Sequence, residues 1–244
     1  MPATVRLSDH NSALIARATS PGDVPRATGS LGLGGPRPVV SVVGGAGNMS
    51  DDVIAGLASL VAAFLPVIAE NDAATVDGGT DSGVMRLLGQ ARESAGATFP
   101  AVGVAAIGTV TYPGHQGTNP DAAPLDHNHS HFVLVPGGEW GDEAGALAEV
   151  ATLLAGGRPS VTLLINGGEI TFTDARRSVE RGRPVLVLQG TGRTADLIAA
   201  AATDPAADVD ERAADLARSP LVHIVDATDT AAATAILRAA LSPR

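Results

Sequence analysis

Cysteine and lysine are both missing from this chain of 244 residues. Without cysteine there is no disulfide, no thiol nucleophile and no cysteine-ligated zinc site; the compartment stays open, because cytosolic proteins need no bridges. Without lysine there is no Schiff-base amine and no Walker-type phosphate lysine, and all sixteen basic residues are arginines. Basic charge is scarce overall. The formal net charge of −10 opposes nonspecific attraction to nucleic-acid backbones and anionic membranes, although a local basic pocket can still hold a small anion. Long apolar runs are lacking too: Gly, Asp or Pro interrupts them short of the about 20 residues that cross a bilayer, and no N-terminal stretch pairs a basic start with a long apolar core. These absences predict a soluble, cytoplasmic protein that engages neither nucleic acid nor membrane. No Ser-His-Asp ordering, GxSxG elbow or HExxH zinc motif occurs, which removes the hydrolase classes built on them.

What is present is 45% apolar residues, enough for one large α/β domain. Residues 1–37 read as an N-terminal hairpin followed by a Gly/Pro-rich lead-in with at most one helical turn, and 38–244 as the main domain. From residue 38 onward, seven short apolar runs (39–43, 74–76, 102–106, 132–135, 161–165, 185–188 and 222–225) alternate with helical patterns near 51–70, 82–96, 142–156, 173–182, 193–203, 209–218 and 229–241. Ser50, Thr173 and Thr228 are available as N-caps. That alternation predicts a Rossmann-like, doubly wound, mostly parallel sheet of about seven strands with helices on both faces and a small N-terminal β appendage. The polar stretch 112–130 is too long for a routine connector and is expected to form a lid or site wall.

Five glycine-bearing turns sit where a strand gives way to a helix: GGAGN (44–48), GGTDSG (78–83), PGGEWG (136–141), NGGE (166–169) and GTGR (190–193). At the carboxyl edge of a parallel sheet such turns gather backbone N–H groups and helix N-termini, which suit phosphate. Thr80 and Ser82 add hydroxyls to the second turn, whose alternative explanation is a tight turn that needs glycine. Arg193 falls in the first turn of a helix, where a cation is unfavourable unless an anion lies between it and the helix dipole; the alternative is a rim ion pair with Asp196 or Asp81. Glu139, Asp142 and Glu143 follow a strand beside the single tryptophan, Trp140. They are placed either to act on a ligand or merely to cap a helix. In DHNHSH, His127, His129 and His131 share one face if the segment is extended, a geometry that can bind a transition metal. Same-face neighbours on one strand converge poorly on one ion, so loop-bracing hydrogen bonds are the expected role, with no metal and no cofactor.

In this order, VVSVVGGAGN, TVDGGTDSGVMRLLGQA, VGVAAIGTV, LDHNHSHFVLVPGG, VTLLINGGE and PVLVLQGTGRTADLIA resemble the N-terminal nucleotide-binding region of TRPM cation channels and its prokaryotic stand-alone LSDAT-type relatives. These belong to the SLOG superfamily, which also includes the "Lonely guy" phosphoribohydrolases and the DNA-processing protein Smf. The resemblance spans roughly 38–203. It implies a Rossmann-like sensor of nucleotide-derived ligands, ADP-ribose and its cyclic relatives foremost. Carried over residue by residue, it implies a ligand surrounded by Gly45 and Asn48; Gly79, Thr80, Ser82 and Gly83; Gly167, Gly168 and Glu169; and Gly190, Thr191, Gly192 and Arg193.

It further implies a homodimer, by analogy with SLOG relatives, and a signal passed to an unknown effector protein, since no membrane-spanning segment follows. Two departures matter. Pro136-Gly137-Gly138 stands where the channels carry an acidic DDG, closer to the PGGxGTxxE signature of the phosphoribohydrolases. In that signature, however, Gly141 replaces the threonine and Glu143 arrives one residue early, with Ala144 at the expected position. The sequence therefore supports a non-catalytic binding protein first, an N-glycosidic bond hydrolase using Glu139 or Glu143 second, and a ligand-free interaction module third.

Overall fold

The computed structural model describes residues 1–45, 49–204 and 210–242. In chain order the elements are β1 (Ala3–Arg6), β2 (Ser12–Arg17), α1 (Val24–Ser30), β3 (Val39–Gly44), α2 (Asp51–Glu70), β4 (Ala74–Asp77), α3 (Gly83–Ser94), β5 (Ala101–Ala106), β6 (Val110–Thr111), β7 (Ala123–Pro124), β8 (His131–Val135), α4 (Ala144–Ala155), β9 (Ser160–Ile165), α5 (Glu169–Glu180), β10 (Val185–Gln189), α6 (Arg193–Thr203), α7 (Glu211–Ala217), β11 (Val222–Asp226) and α8 (Thr230–Leu241). All seven expected strands form, and they join the N-terminal hairpin in one sheet of order β1-β2-β8-β5-β4-β3-β9-β10-β11. Among the described residues of this sheet, only the β1–β2 pairing is antiparallel.

Each central strand buries both faces, which is why its sequence is mostly apolar rather than alternating. In β3, Val39 and Val43 face the core under α1, α4, α5, α6 and α7, while Val40 and Val42 face the core under α2, α3 and α8. Helix α2 starts at Ser50, whose hydroxyl accepts from the Val53 N–H, and it runs through Gly56 and Pro66. Those residues therefore do not break the run: Pro66 lies on the exposed side, where a lost hydrogen bond is replaced by water. Asp52–Glu70 is long and apolar enough to cross a membrane, with a mean hydropathy of 2.1. In this fold it lays Leu57, Leu60, Phe64, Val67 and Ile68 against the sheet, about 1.5–3 kcal/mol for each large side chain.

Three local expectations are corrected. The lead-in is not a loop: after a 3-10 turn at Pro21–Asp23 it forms α1, with Val24, Ala27 and Leu31 buried. Pro25 sits in the first helical turn, where no N–H is required. Helix α5 begins at Glu169, so Thr173 lies inside it; the true start is Gly168, whose N–H donates to Thr171 Oγ1 at 3.0 Å. Helix α8 is capped by Asp229, which accepts from the Ala232 N–H at 2.9 Å, while Thr228 donates to Asp226.

Candidate functional site

The chain builds β3, β4, β5 and β8 outward in one direction and then returns to place β9 on the other side of β3. The crevice between the carboxyl ends of β3 and β9 is thus the topological switch point, where open α/β sheets bind ligands. Gly44 and Gly45 close one side of it. A methyl group on Gly44 would run into the Ile165 carbonyl, and one on Gly45 would stand 3.1 Å from Asn166 Oδ1. Asn48, expected to touch the ligand, lies outside the described residues.

Asn166 ties the β9 turn to the β10 turn. Its N–H donates to Thr191 Oγ1 at 2.7 Å, its side-chain amide donates to the Thr191 carbonyl at 2.6 Å, and its own carbonyl accepts from the Ala195 N–H at 3.0 Å. Arg193 opens α6 with φ 52°, a left-handed conformation that costs a non-glycine residue about 1–2 kcal/mol. Its exposed side chain lies over the Gly167-Gly168 turn, so close that a methyl on Gly168 would stand 2.9 Å from Nη2. Neither rim acid holds it. The Asp196 carboxylate accepts from the N–H groups of Gly190 (2.6 Å) and Gly192 (3.1 Å), and Asp81 pairs with Arg86 at 2.7 Å. Among the described residues Arg193 has no ion pair.

On the β4 turn, Thr80 Oγ1 and Ser82 Oγ lie 3.1 Å apart, and Gly83 opens α3 beyond an N-cap whose side chain caps nothing. Gly79 faces inward instead: at φ 67°, its missing Cβ would meet Gly103 Cα at 2.7 Å and Phe132 Cε1 at 2.8 Å. Packing alone therefore accounts for glycine at 79, while Gly78 lines the cavity beside β3 and β5. Glu169 is turned outward to Arg212, 2.7 Å away.

Below the turns lies a cavity of about 120 Å³, with apolar walls from Val42, Met85, Trp140 and Ile170, hydroxyls from Thr80 and Thr171, and two carboxyls, Glu143 and Asp174. Burial pushes Glu143 up, against the opposing Gly141 N–H that its carboxylate accepts. Burial, reinforced by Glu143, raises Asp174 to about 7. Two acids with raised pKa share one cavity, a pairing of the kind found where a proton is held or exchanged. Glu139 is exposed, with Asn119 as its side-chain partner at 3.4 Å. The N–H groups of Gly138 and Glu139 both donate to Asp142. The 112–130 segment is stitched onto this turn, since the Asn119 amide donates to the Gly138 carbonyl at 2.9 Å.

Sequence reasoning missed Asp174. Its signal was available: with α5 starting at Glu169, Ile170, Thr171 and Asp174 fall on one helical face.

The three histidines do not share an extended face. Residues 126–130 turn, and only His131 enters a strand. His129 is fully buried, hydrogen-bonded to Asp77 Oδ1 (2.9 Å) and Asp126 Oδ2 (2.8 Å), with both ring nitrogens engaged. Burial disfavours its charge, but the two carboxylates outweigh burial and lift it to about 10. Asp77 also accepts from the Gly79 N–H at 2.7 Å, so this buried triad underpins the β4 turn.

Among known proteins, the chain is similar to transient receptor potential cation channel subfamily M member 2 of Mus musculus, 27% identical over 73% of this chain and 14% of the channel. The Rattus norvegicus counterpart is 26% identical over 84% of this chain and 15% of the channel. Subfamily M member 5 of Homo sapiens is 32% identical over 43% of this chain and 12% of the channel. The chain thus spans less than a sixth of the length of these curated relatives. The model of the family described as "SLOG in TRPM, prokaryote" matches residues 37–235, most of the chain. With the glycine turns, the switch-point crevice and this match in hand, the protein belongs to the prokaryotic family of SLOG domains of the TRPM type.

Proposed function

We propose that the protein binds a nucleotide-derived ligand of the ADP-ribose type in the β3–β9 crevice and reports it without turning it over. The observation that carries this reading is Arg193: a guanidinium in a costly backbone conformation, laid over a glycine turn at the switch point, with no counter-ion among the described residues. A diphosphate supplies that counter-ion, and guanidinium binds its oxygens in bidentate fashion. The hydroxyls of Thr80 and Ser82 and the first turn of α3 receive the rest of the phosphate or the ribose. A cytoplasmic setting, a homodimer and an effector protein that reads the bound state belong to the same proposal; light scattering on the purified chain tests the dimer.

The test of binding is calorimetric titration with ADP-ribose, cyclic ADP-ribose, NAD, AMP and ATP, each mixture being analysed afterwards by chromatography. Saturable binding with intact ligand is expected. Arg193→Ala should weaken it by about 1.5–3 kcal/mol, and an unchanged affinity would remove Arg193 from the site.

A second reading rests on a different observation, the Glu143–Asp174 pair. In hydrolysis of an N-glycosidic bond, Asp174 protonates the departing base as the C1′–N bond breaks. Water adds to C1′ and gives its proton to Glu143. This reading requires release of free base that Glu143→Gln and Asp174→Asn each abolish; intact ligand after long incubation excludes it.

A further inference from the structure

At the end of the sheet opposite the glycine turns, where β9 and β10 begin and α4, α5 and α8 end, lies a second and larger cavity. It measures about 580 Å³, within the range of small-molecule sites, and is lined by Arg158, Arg181 and Arg183 with the hydroxyls of Thr152, Ser160 and Ser242. Three of the sixteen arginines of a chain with net charge −10 converge there.

Arg183 is only 3% exposed. Its Nε donates to Ser160 Oγ at 3.3 Å and its Nη2 to Thr152 Oγ1 at 2.9 Å, but Nη1 is buried with no acceptor among the described residues. Burial, reinforced by Arg181, pulls its pKa down to about 10, so the group stays charged at neutral pH in a place that disfavours the charge. Among the described residues Arg181 makes one side-chain bond, a 3.4 Å contact to the Arg177 carbonyl. Glu70 and Asp72, which line a neighbouring pocket with Arg158, are engaged by Arg238 and Arg37.

Cations after the carboxyl ends of α4 and α5 offset the helix dipoles, which accounts for the exposed Arg158 and Arg181. It does not account for a third guanidinium held beside them almost wholly out of water, a buried charge that is costly unless an anion lies close by.

We propose that this cavity is a second anion-binding site, taking a small, multiply charged phosphate compound. Arg183 is its fixed floor, Arg158 and Arg181 close over the ligand, and the three hydroxyls supply further hydrogen bonds. The site is separate from the crevice, so its occupancy does not depend on Arg193.

The experiment is calorimetric titration of the full chain with inorganic pyrophosphate at constant ionic strength, carried out on Arg193→Gln protein so that binding in the crevice is weakened. Saturable binding is expected, together with a rise in melting temperature. Adding Arg158→Gln and Arg181→Gln, both at exposed positions, should weaken the binding about tenfold or more. Arg183→Lys keeps the charge but loses the fork and should also weaken it. No saturable binding in the Arg193→Gln protein, or binding unchanged by the paired Arg158 and Arg181 substitutions, would overturn the proposal.

Discussion

Replacing Asp174 by asparagine should make the protein more stable at pH 8. The carboxyl titrates near 3.8 in the unfolded chain and near 7 in the folded one, because burial and the neighbouring Glu143 disfavour its charge. Between those values the folded state holds a proton that the unfolded state has released, so stability falls as pH rises, by about 1.4 kcal/mol per pH unit. The contribution is complete below about pH 4 and gone above about pH 7. The interval of roughly three units sets a ceiling of about 4 kcal/mol; partial exposure and sharing of the proton with Glu143 bring the expected penalty to about 1–3 kcal/mol. Asparagine cannot ionise, so the variant escapes the penalty at pH 8 and gains nothing at pH 4. For a domain of this size 1 kcal/mol moves Tm by about 2–4 °C, so a rise of about 2–12 °C is expected at pH 8. Scanning calorimetry of both proteins at pH 4, 6 and 8 measures this directly. A difference in Tm that does not grow with pH, or a variant less stable at pH 8, would refute the reasoning.

Gly168→Ala should weaken ligand binding several-fold while leaving Tm nearly unchanged. Its φ of −133° suits alanine, yet the new methyl displaces Arg193; equal affinity by calorimetry would contradict this. The His129 pKa is raised from 6.5 to about 10, so its contribution is full below pH 6.5 and is lost as pH climbs towards 10. Urea unfolding from pH 7 to 10 should show that decline, and His129→Gln should abolish it at a cost of about 3–5 kcal/mol at pH 7, since two buried carboxylates lose their partner. Gly103→Ala puts a methyl 2.6 Å from Phe132 Cε1 and should cost about 1–3 kcal/mol by denaturant melt, partly restored by Phe132→Leu.

The parallel sheet was legible because strands buried on both faces carry apolar runs with little alternation, as 132–135 and 185–188 do. Less visible were features set by pairing over long distances. The hairpin around Val5 and Ile15 could be read from its residues, but its alignment beside β8 could not, since parallel partners leave no local mark. The start of α5 was obscured because Glu-Ile-Thr-Phe-Thr is rich in β-branched and aromatic residues and follows two glycines, so it reads as strand or turn. That error hid Asp174, since an acid in a helix ordinarily belongs to a solvated face. The glycine turns were found as a group, but which glycines face the crevice depends on neighbours. Gly79 answers to Phe132, 53 positions away, and Asp196 occupies two N–H groups of the β10 turn.

Residues 12–17 cover the hydrogen-bonding edge of β8, and 3–6 cover theirs in turn. The family match begins only at residue 37. A chain cut at that boundary would leave β8, His-Phe-Val-Leu-Val, as an open strand of high β-propensity with its backbone donors and acceptors facing water. Such an edge invites another strand, and the shortened protein would aggregate even though every residue around the crevice remained. The hairpin therefore shields that edge as well as joining the core, and the sheet extends beyond the span that the family model matches.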